Sequence, residues 1–389
     1  MAKKLSNLFF STVKRIGRMQ RQALKLTIRP PVKRAKAKVV KTAKAKSAKP
    51  VKRARATTTR LPSGQVPAGS GTWQNLNFKT LPSSTELLGR LAYSLYRPAI
   101  QPTAGMPLVV MLHGCQQTAY EMAMGSRMNK LADSKGFVVL YPQQSKRVQA
   151  MRCWRWFQPD GPHGCAEADA IADLASDIVA RYKLDGSKVY VAGLSAGAGM
   201  AALAALRRPD VFAAVAMHSG AVLGEAHNAA TGLQAMRRGT LKDPLSLTPQ
   251  ILNGHVRFPG MPAMILHGQQ DRVVAPRNAR QLTQQFVHIN WQLTNDPLVP
   301  TTGIPRRSVS ALGLVDPPPR KGVMAAGTER EYLREDYIRG RKPIVRLCLI
   351  KSVGHAWSGG DGKLKFHAKD GPKASAVIWQ FFTMHQRLL

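Results

Sequence analysis

From about residue 75 to the end of the chain, short apolar runs alternate with longer amphipathic stretches. The runs fall at 108–112, 137–141, 189–192, 212–217, 263–267 and 344–350. Between them lie Ala-rich segments at 121–135, 167–182, 197–207, 277–288 and 373–387, each long enough for a helix. Runs without polar alternation predict strands buried on both faces. Joined by helices, such strands form a mostly parallel α/β sheet covered on both sides. The Pro-, Gly- and Arg-rich region 296–330 reads as an inserted loop before the last strand. A single large domain over 73–389 accounts for this pattern.

The first 72 residues follow a different rule. Leu5, Phe9, Val13, Ile16 and Ala23 recur at helical spacing, and Lys14, Arg18, Arg21 and Lys25 project from the opposite side. This predicts an amphipathic helix over 5–28. Pro30 and Pro31 end it, because neither can donate a backbone hydrogen bond. The Lys/Ala tract behind them has too little apolar surface to fold alone and is expected to be disordered. Charge separates the two regions further. Residues 1–60 carry 20 of the 58 Lys and Arg residues and no acidic side chain, within a chain of net charge +37. Such an arm suits a polyanionic partner: an anionic surface, a granule or nucleic acid bound through counterion release. Its alternative is a solvated tail.

Cys115, Cys153, Cys165 and Cys348 are too few for a disulfide scaffold. They admit buried thiols or one or two bridges, and spacing does not choose among the pairings. No apolar run approaches the ~20 residues of a membrane span. The N-terminal apolar run, Leu8-Phe9-Phe10, is shorter than the roughly 7–15 residues of a secretory signal, which fits the cytoplasm. The histidines lack metal-ligand spacing, and neither a metal nor a cofactor is expected.

The segment Val189-Tyr190-Val191-Ala192-Gly193-Leu194-Ser195-Ala196-Gly197 combines a strand, a G-x-S-x-G turn and the start of a helix. At such a turn the serine is held at a tight corner, and the flanking glycines let the backbone close. The helix N-terminus then brings the Ala196 N–H to an oxygen that becomes negative during acyl transfer. Ser195 is therefore the candidate nucleophile. An acid and a histidine should follow, each after a later strand. Asp271, in the HGQQD stretch after 263–267, is the candidate acid, with Asp243 and Glu225 as substitutes. His355, in SVGHAWSGG after 344–350, is the candidate base. The LHGCQQ turn after 108–112 places the Cys115 N–H as second oxyanion donor. His113 and His267 are expected to hold loops. Trp154 and Trp156 are expected in an aromatic core.

The motifs LHGCQQTA, YPQQ, CWRWF, GLSAGAGM and GHAWSGG occur in that order. Together they resemble the catalytic domain of the polyhydroxybutyrate depolymerase family of esterases, close to feruloyl and acetylxylan esterases. The resemblance covers roughly residues 85–385. It implies an α/β-hydrolase fold, a Ser195–Asp271–His355 triad and hydrolysis of hydroxyalkanoate esters or polyester through an acyl-enzyme. It also implies Trp357 as a wall of the acyl pocket and an extracellular protein. Arg155 and Ala166 depart from the family's pattern, and no substrate-binding domain is expected behind the final helix.

Overall fold

The structure, a computed structural model, describes residues 67–80, 89–158, 162–252, 258–291 and 318–387. The chain divides into two units, Met1–Gln65 and Val66–Leu389. The first unit, including the helix expected at 5–28 and the Lys/Ala tract, lies outside the described residues.

The second unit is built on a ten-stranded sheet. In chain order its strands are β1 (Thr72–Lys79), β2 (Arg90–Arg97), β3 (Leu108–Leu112), β4 (Val138–Gln143), β5 (Val189–Leu194), β6 (Ala214–His218), β7 (Ala263–Gly268), β8 (Arg320–Met324), β9 (Tyr332–Arg339) and β10 (Lys342–Ile350). Their spatial order is β1-β2-β4-β3-β5-β6-β7-β10-β9-β8. Strands β4, β3, β5, β6, β7 and β10 run parallel to their neighbours, and antiparallel pairs close each side. The six runs expected from the sequence are these six parallel strands.

Side chains of a strand alternate between the sheet's faces, and the central strands feed two separate cores. Leu108, Val110 and Leu112 of β3 join the first core, with residues of helices α3 (Pro162–Tyr182), α4 (Ala196–Arg207) and α7 (Arg277–Trp291). Val109 and Met111 join the second, with α1 (Ala119–Ser126), α2 (Met128–Lys135) and α8 (Ala374–Phe382). The segment expected as one helix over 121–135 breaks at Arg127, whose φ of 57° ends α1 and begins α2. The Thr118–Glu121 capping box starts α1 by satisfying two backbone donors reciprocally. Helices α5 (Ala229–Arg238) and α6 (Thr248–Leu252) stand between β6 and β7.

Two boundaries differ from expectation. The folded unit begins before residue 73: the Asn129 side chain donates to Pro67 O at 2.6 Å, and Gly71 N–H donates to the Tyr96 hydroxyl at 2.7 Å. The C-terminal part of the region expected as a loop over 296–330 is strand β8, paired with β9. The stretch 292–317 lies outside the described residues. Strands β1 and β8 are the sheet's edges, and their polar, largely exposed sequences lack the apolar runs that mark the buried strands.

Candidate active site

Ser195 joins β5 to α4 with φ 58° and ψ −118°, a left-handed conformation costly for a residue with a Cβ and held only by its surroundings. Its N–H donates to His218 O at 2.9 Å, and its carbonyl accepts from Ala198 N–H at 2.9 Å. Gly197 must lack a side chain here, because a Cβ would strike the carbonyls of Leu112 and His113. The motif's second glycine thus lets the helix start press against the end of β3.

The three residues expected from separate motifs meet at this turn. His355 Nε2 lies 3.0 Å from Ser195 Oγ, and its Nδ1 lies 2.8 Å from Asp271 Oδ2. A carboxylate can only accept, so Nδ1 carries the proton and Nε2 presents a lone pair to the serine hydroxyl. The loop after β7 fixes Asp271: its Oδ1 accepts from the N–H groups of Val273 and Val274, both at 2.8 Å. His267 Nε2 donates to Val274 O at 2.9 Å and lies 3.4 Å from Asp271 Oδ2. Burial alone would raise the pKa of this carboxyl. The electrostatic interaction with His355 and the hydrogen bonds from both imidazoles overcome that penalty and hold it far below the usual carboxylate range. The substitutes are elsewhere. Asp243 caps a short 3-10 helix, and Glu225 accepts from the Thr240 hydroxyl.

The turn after β3 passes beside the serine; a Cβ on Gly114 would lie 3.4 Å from Ser195 Cβ. Gly114 N–H is committed to Gln117 Oε1 at 2.8 Å and Gln116 N–H to Met151 O at 2.7 Å. Between them the Cys115 N–H has no protein acceptor among the described residues, the condition an oxyanion donor requires. The Ala196 N–H, in the first turn of α4, has no acceptor within its helix.

The pairing that spacing left open joins Cys115 to Cys153. The Cys115 sulfur is therefore no thiolate, and the bond ties the turn after β3 to the loop 151–158. Trp154 Nε1 adds a hydrogen bond to His113 O at 3.1 Å. Glu167, which the sequence did not single out as a site residue, secures the same loop. From α3 it accepts from Arg155 N–H at 2.7 Å and from the Gln144 side chain at 2.8 Å. Burial pushes this carboxyl up to about 7. No local motif announces Glu167. Its signal is a carboxylate on an otherwise apolar helix face.

Two further histidines are held neutral by burial. His113, pushed down to about 4, accepts from Gln144 N–H and donates to Gly114 O. His218, pushed down to about 3, accepts from Ser358 N–H and stacks on Trp357. Trp154 and Trp156 are buried, as expected of an aromatic core. Trp357 is a correction. Expected as a wall of the acyl pocket, it has no exposed surface, and its indole donates to Ser375 Oγ at 3.3 Å in the second core. The aromatic ring beside the base is instead Phe366, half-buried and edge-on to His355 at 6.3 Å between ring centres. Among the described residues, no group of His, Cys, Asp and Glu could hold a metal ion, and no helix is long and apolar enough to cross a membrane.

Comparison with known proteins identifies the family and the fold. A curated poly(3-hydroxyalkanoate) depolymerase C from Paucimonas lemoignei is 35% identical over 217 residues, 54% of this chain and 50% of that protein. The chain thus spans about half the length of that relative. A probable acetylxylan esterase A from Neosartorya fischeri is 27% identical over 268 residues, 66% of this chain and 70% of its own. An acetyl xylan esterase structure from Aspergillus awamori superimposes with a TM-score of 0.60 at 19% identity, covering 80% of this chain and 99% of that one; it supports the α/β-hydrolase fold. Residues 91–306 match the family described as esterase PHB depolymerase, and the chain belongs to that family.

Proposed function

We propose that the protein is a serine esterase that cleaves carboxylic esters through an acyl-enzyme on Ser195. The observation that carries this reading is the continuous relay from Ser195 Oγ through His355 to Asp271, at 3.0 Å and 2.8 Å. Ser195 Oγ attacks the ester carbonyl while His355 Nε2 takes its proton, and the Cys115 and Ala196 N–H groups receive the oxyanion. The C–O bond to the alcohol then breaks, and the imidazolium returns its proton to the departing alkoxide. Water activated by the same imidazole releases the acid. Asp271 keeps Nδ1 protonated and stabilises the imidazolium.

The substrate class proposed is short hydroxyalkanoate esters or poly(3-hydroxybutyrate), supported by the family match and by the relative named a poly(3-hydroxyalkanoate) depolymerase. A second reading, a carbohydrate esterase removing acetyl or feruloyl groups, draws support from the acetylxylan esterase relative. Initial rates on 3-hydroxybutyrate oligomers, amorphous polymer granules, acetylated xylan and methyl ferulate decide between them. Faster turnover of either carbohydrate-type ester than of the oligomers would replace the first reading with the second.

We also assign an oxidising compartment, outside the cytoplasm, on the strength of the Cys115–Cys153 bridge beside the site. The basic residues of 1–60 serve as a tether to a polyanionic surface or nucleic acid. Sedimentation with anionic vesicles or DNA over a salt series, for the full chain and for a chain lacking 1–65, tests the tether. Equal partitioning at low salt would make the arm a passive tail.

A further inference from the structure

The loop after β10, which brings His355 to Ser195, also carries a cation to the turn after β3. Trp357 N–H donates to Phe366 O and Ala368 N–H to Trp357 O, both at 2.9 Å, which folds residues 358–367 back beside the histidine. Phe366 is held at a φ of 63°, a left-handed conformation that costs a side-chain-bearing residue energy and sets its ring beside His355. Its neighbour Lys365 is exposed. The Lys365 ammonium lies 4.7 Å from the centre of the Phe366 ring and donates to Gln116 Oε1 at 2.8 Å. Gln116 follows the oxyanion donor Cys115 directly and is itself at φ 67°. The loop carrying the base and the turn carrying the oxyanion donor thus meet through one lysine.

That lysine forms no ion pair among the described residues. Asp361, four residues earlier on the same loop, accepts from Lys363 N–H at 3.1 Å. An ammonium with a ring on one side, a neutral amide on another and open solvent beyond keeps donors for an incoming anion.

We propose that Lys365, positioned by Gln116 and Phe366, is a subsite for a carboxylate on the substrate. The ester taken best then carries a free carboxyl near the scissile bond, as a soluble hydroxy-acid oligomer does at its acid end, with Phe366 as the apolar surface beside it. This rests on the esterase reading above and narrows it, favouring cleavage near carboxyl ends over cleavage within neutral chains.

The test compares the dimer of 3-hydroxybutyrate as free acid with the same dimer as primary amide, using the full-length protein and its Lys365→Met and Lys365→Arg variants. The quantity read is the ratio of kcat/KM on acid to that on amide, which cancels any general effect of the substitution on the oxyanion turn. The wild-type ratio should exceed one by on the order of fivefold, the size an exposed charge pair supplies. It should fall toward one in Lys365→Met and with added salt, and be largely retained in Lys365→Arg. A wild-type ratio of one, or a ratio that survives Lys365→Met, would overturn the subsite while leaving the esterase reading intact. Silence on both dimers and on p-nitrophenyl butyrate would remove the esterase reading and the subsite with it.

Discussion

Substituting Glu167 with glutamine removes a carboxyl group that is 2% exposed and that holds the loop bearing Cys153 and Trp154 through Arg155 N–H and the Gln144 side chain. Burial pushes this carboxyl from 4.5 up to about 7, even though both donors favour its charged form. In the unfolded chain it ionises near its ordinary value. Between those two pH values the folded protein keeps a proton that the unfolded chain has released, so rising pH favours unfolding. At 1.36 kcal/mol per pH unit, the gap amounts to about 3 kcal/mol of stability, present in full below pH 4.5 and lost by about pH 7. Glutamine stays neutral throughout and escapes this loss. Its amide nitrogen donates and cannot accept, so one of the two donors loses its partner, which costs about 1–3 kcal/mol at every pH. Equilibrium urea unfolding of both proteins, followed by tryptophan fluorescence at pH 4.5, 6, 7 and 8, reads the difference. The wild-type advantage should shrink by about 3 kcal/mol across the series. A difference constant within about 1 kcal/mol would refute the reasoning and make Glu167 an ordinary carboxylate held by its two donors.

Asp271→Asn should lower turnover on the order of 10⁴-fold, because an amide no longer enforces the His355 tautomer. Combined with Ser195→Ala it should add almost nothing, which kcat measurements on the double variant check. Cys153→Ser should destabilise the domain by about 4 kcal/mol, since the bridge closes a loop with a sequence separation of 38. It should also reduce kcat by loosening the Cys115 turn, as urea midpoints and initial rates will record. Trp357→Leu should cost about 3 kcal/mol through the cavity it leaves and the lost bond to Ser375 Oγ. The relative rates on acyl chains of different length should stay as they were, whereas a changed length profile would return Trp357 to the acyl pocket.

The central sheet was legible because β3 to β7 and β10 are buried on both faces and read as unbroken apolar runs. The candidate site was legible because each of Ser195, Asp271 and His355 follows such a run on a short turn. Strands β1, β2, β8 and β9 were not: β1 and β8 are polar and largely exposed. Strands β2 and β9, although mostly buried or half-buried, carry polar and charged residues such as Ser94 and Asp336, which pairs with Arg346, and these break any apolar run. Arg320, Lys321 and the YLREDYIR sequence of β9 give no apolar run to find. Trp357 misled because a tryptophan two residues after the base is equally compatible with a pocket wall and with the core. Backbone direction decides between them, and the turn sends its side chain inward and Phe366 toward His355. The bridge from Cys115 to Cys153, the buttress at Glu167 and the contact between Lys365 and Gln116 depend on long-range closure, with separations of 38 residues for the bridge and 249 for the Lys365 contact. No local pattern encodes them.

The central claim is that Ser195 Oγ is the nucleophile, and the direct measurement is hydrolysis of p-nitrophenyl butyrate by Ser195→Ala beside the wild type, with circular dichroism confirming an unchanged fold. The relay at 3.0 Å and 2.8 Å predicts a loss in kcat on the order of 10⁴–10⁶-fold. A folded Ser195→Ala protein that keeps about a tenth of the wild-type rate would contradict the account.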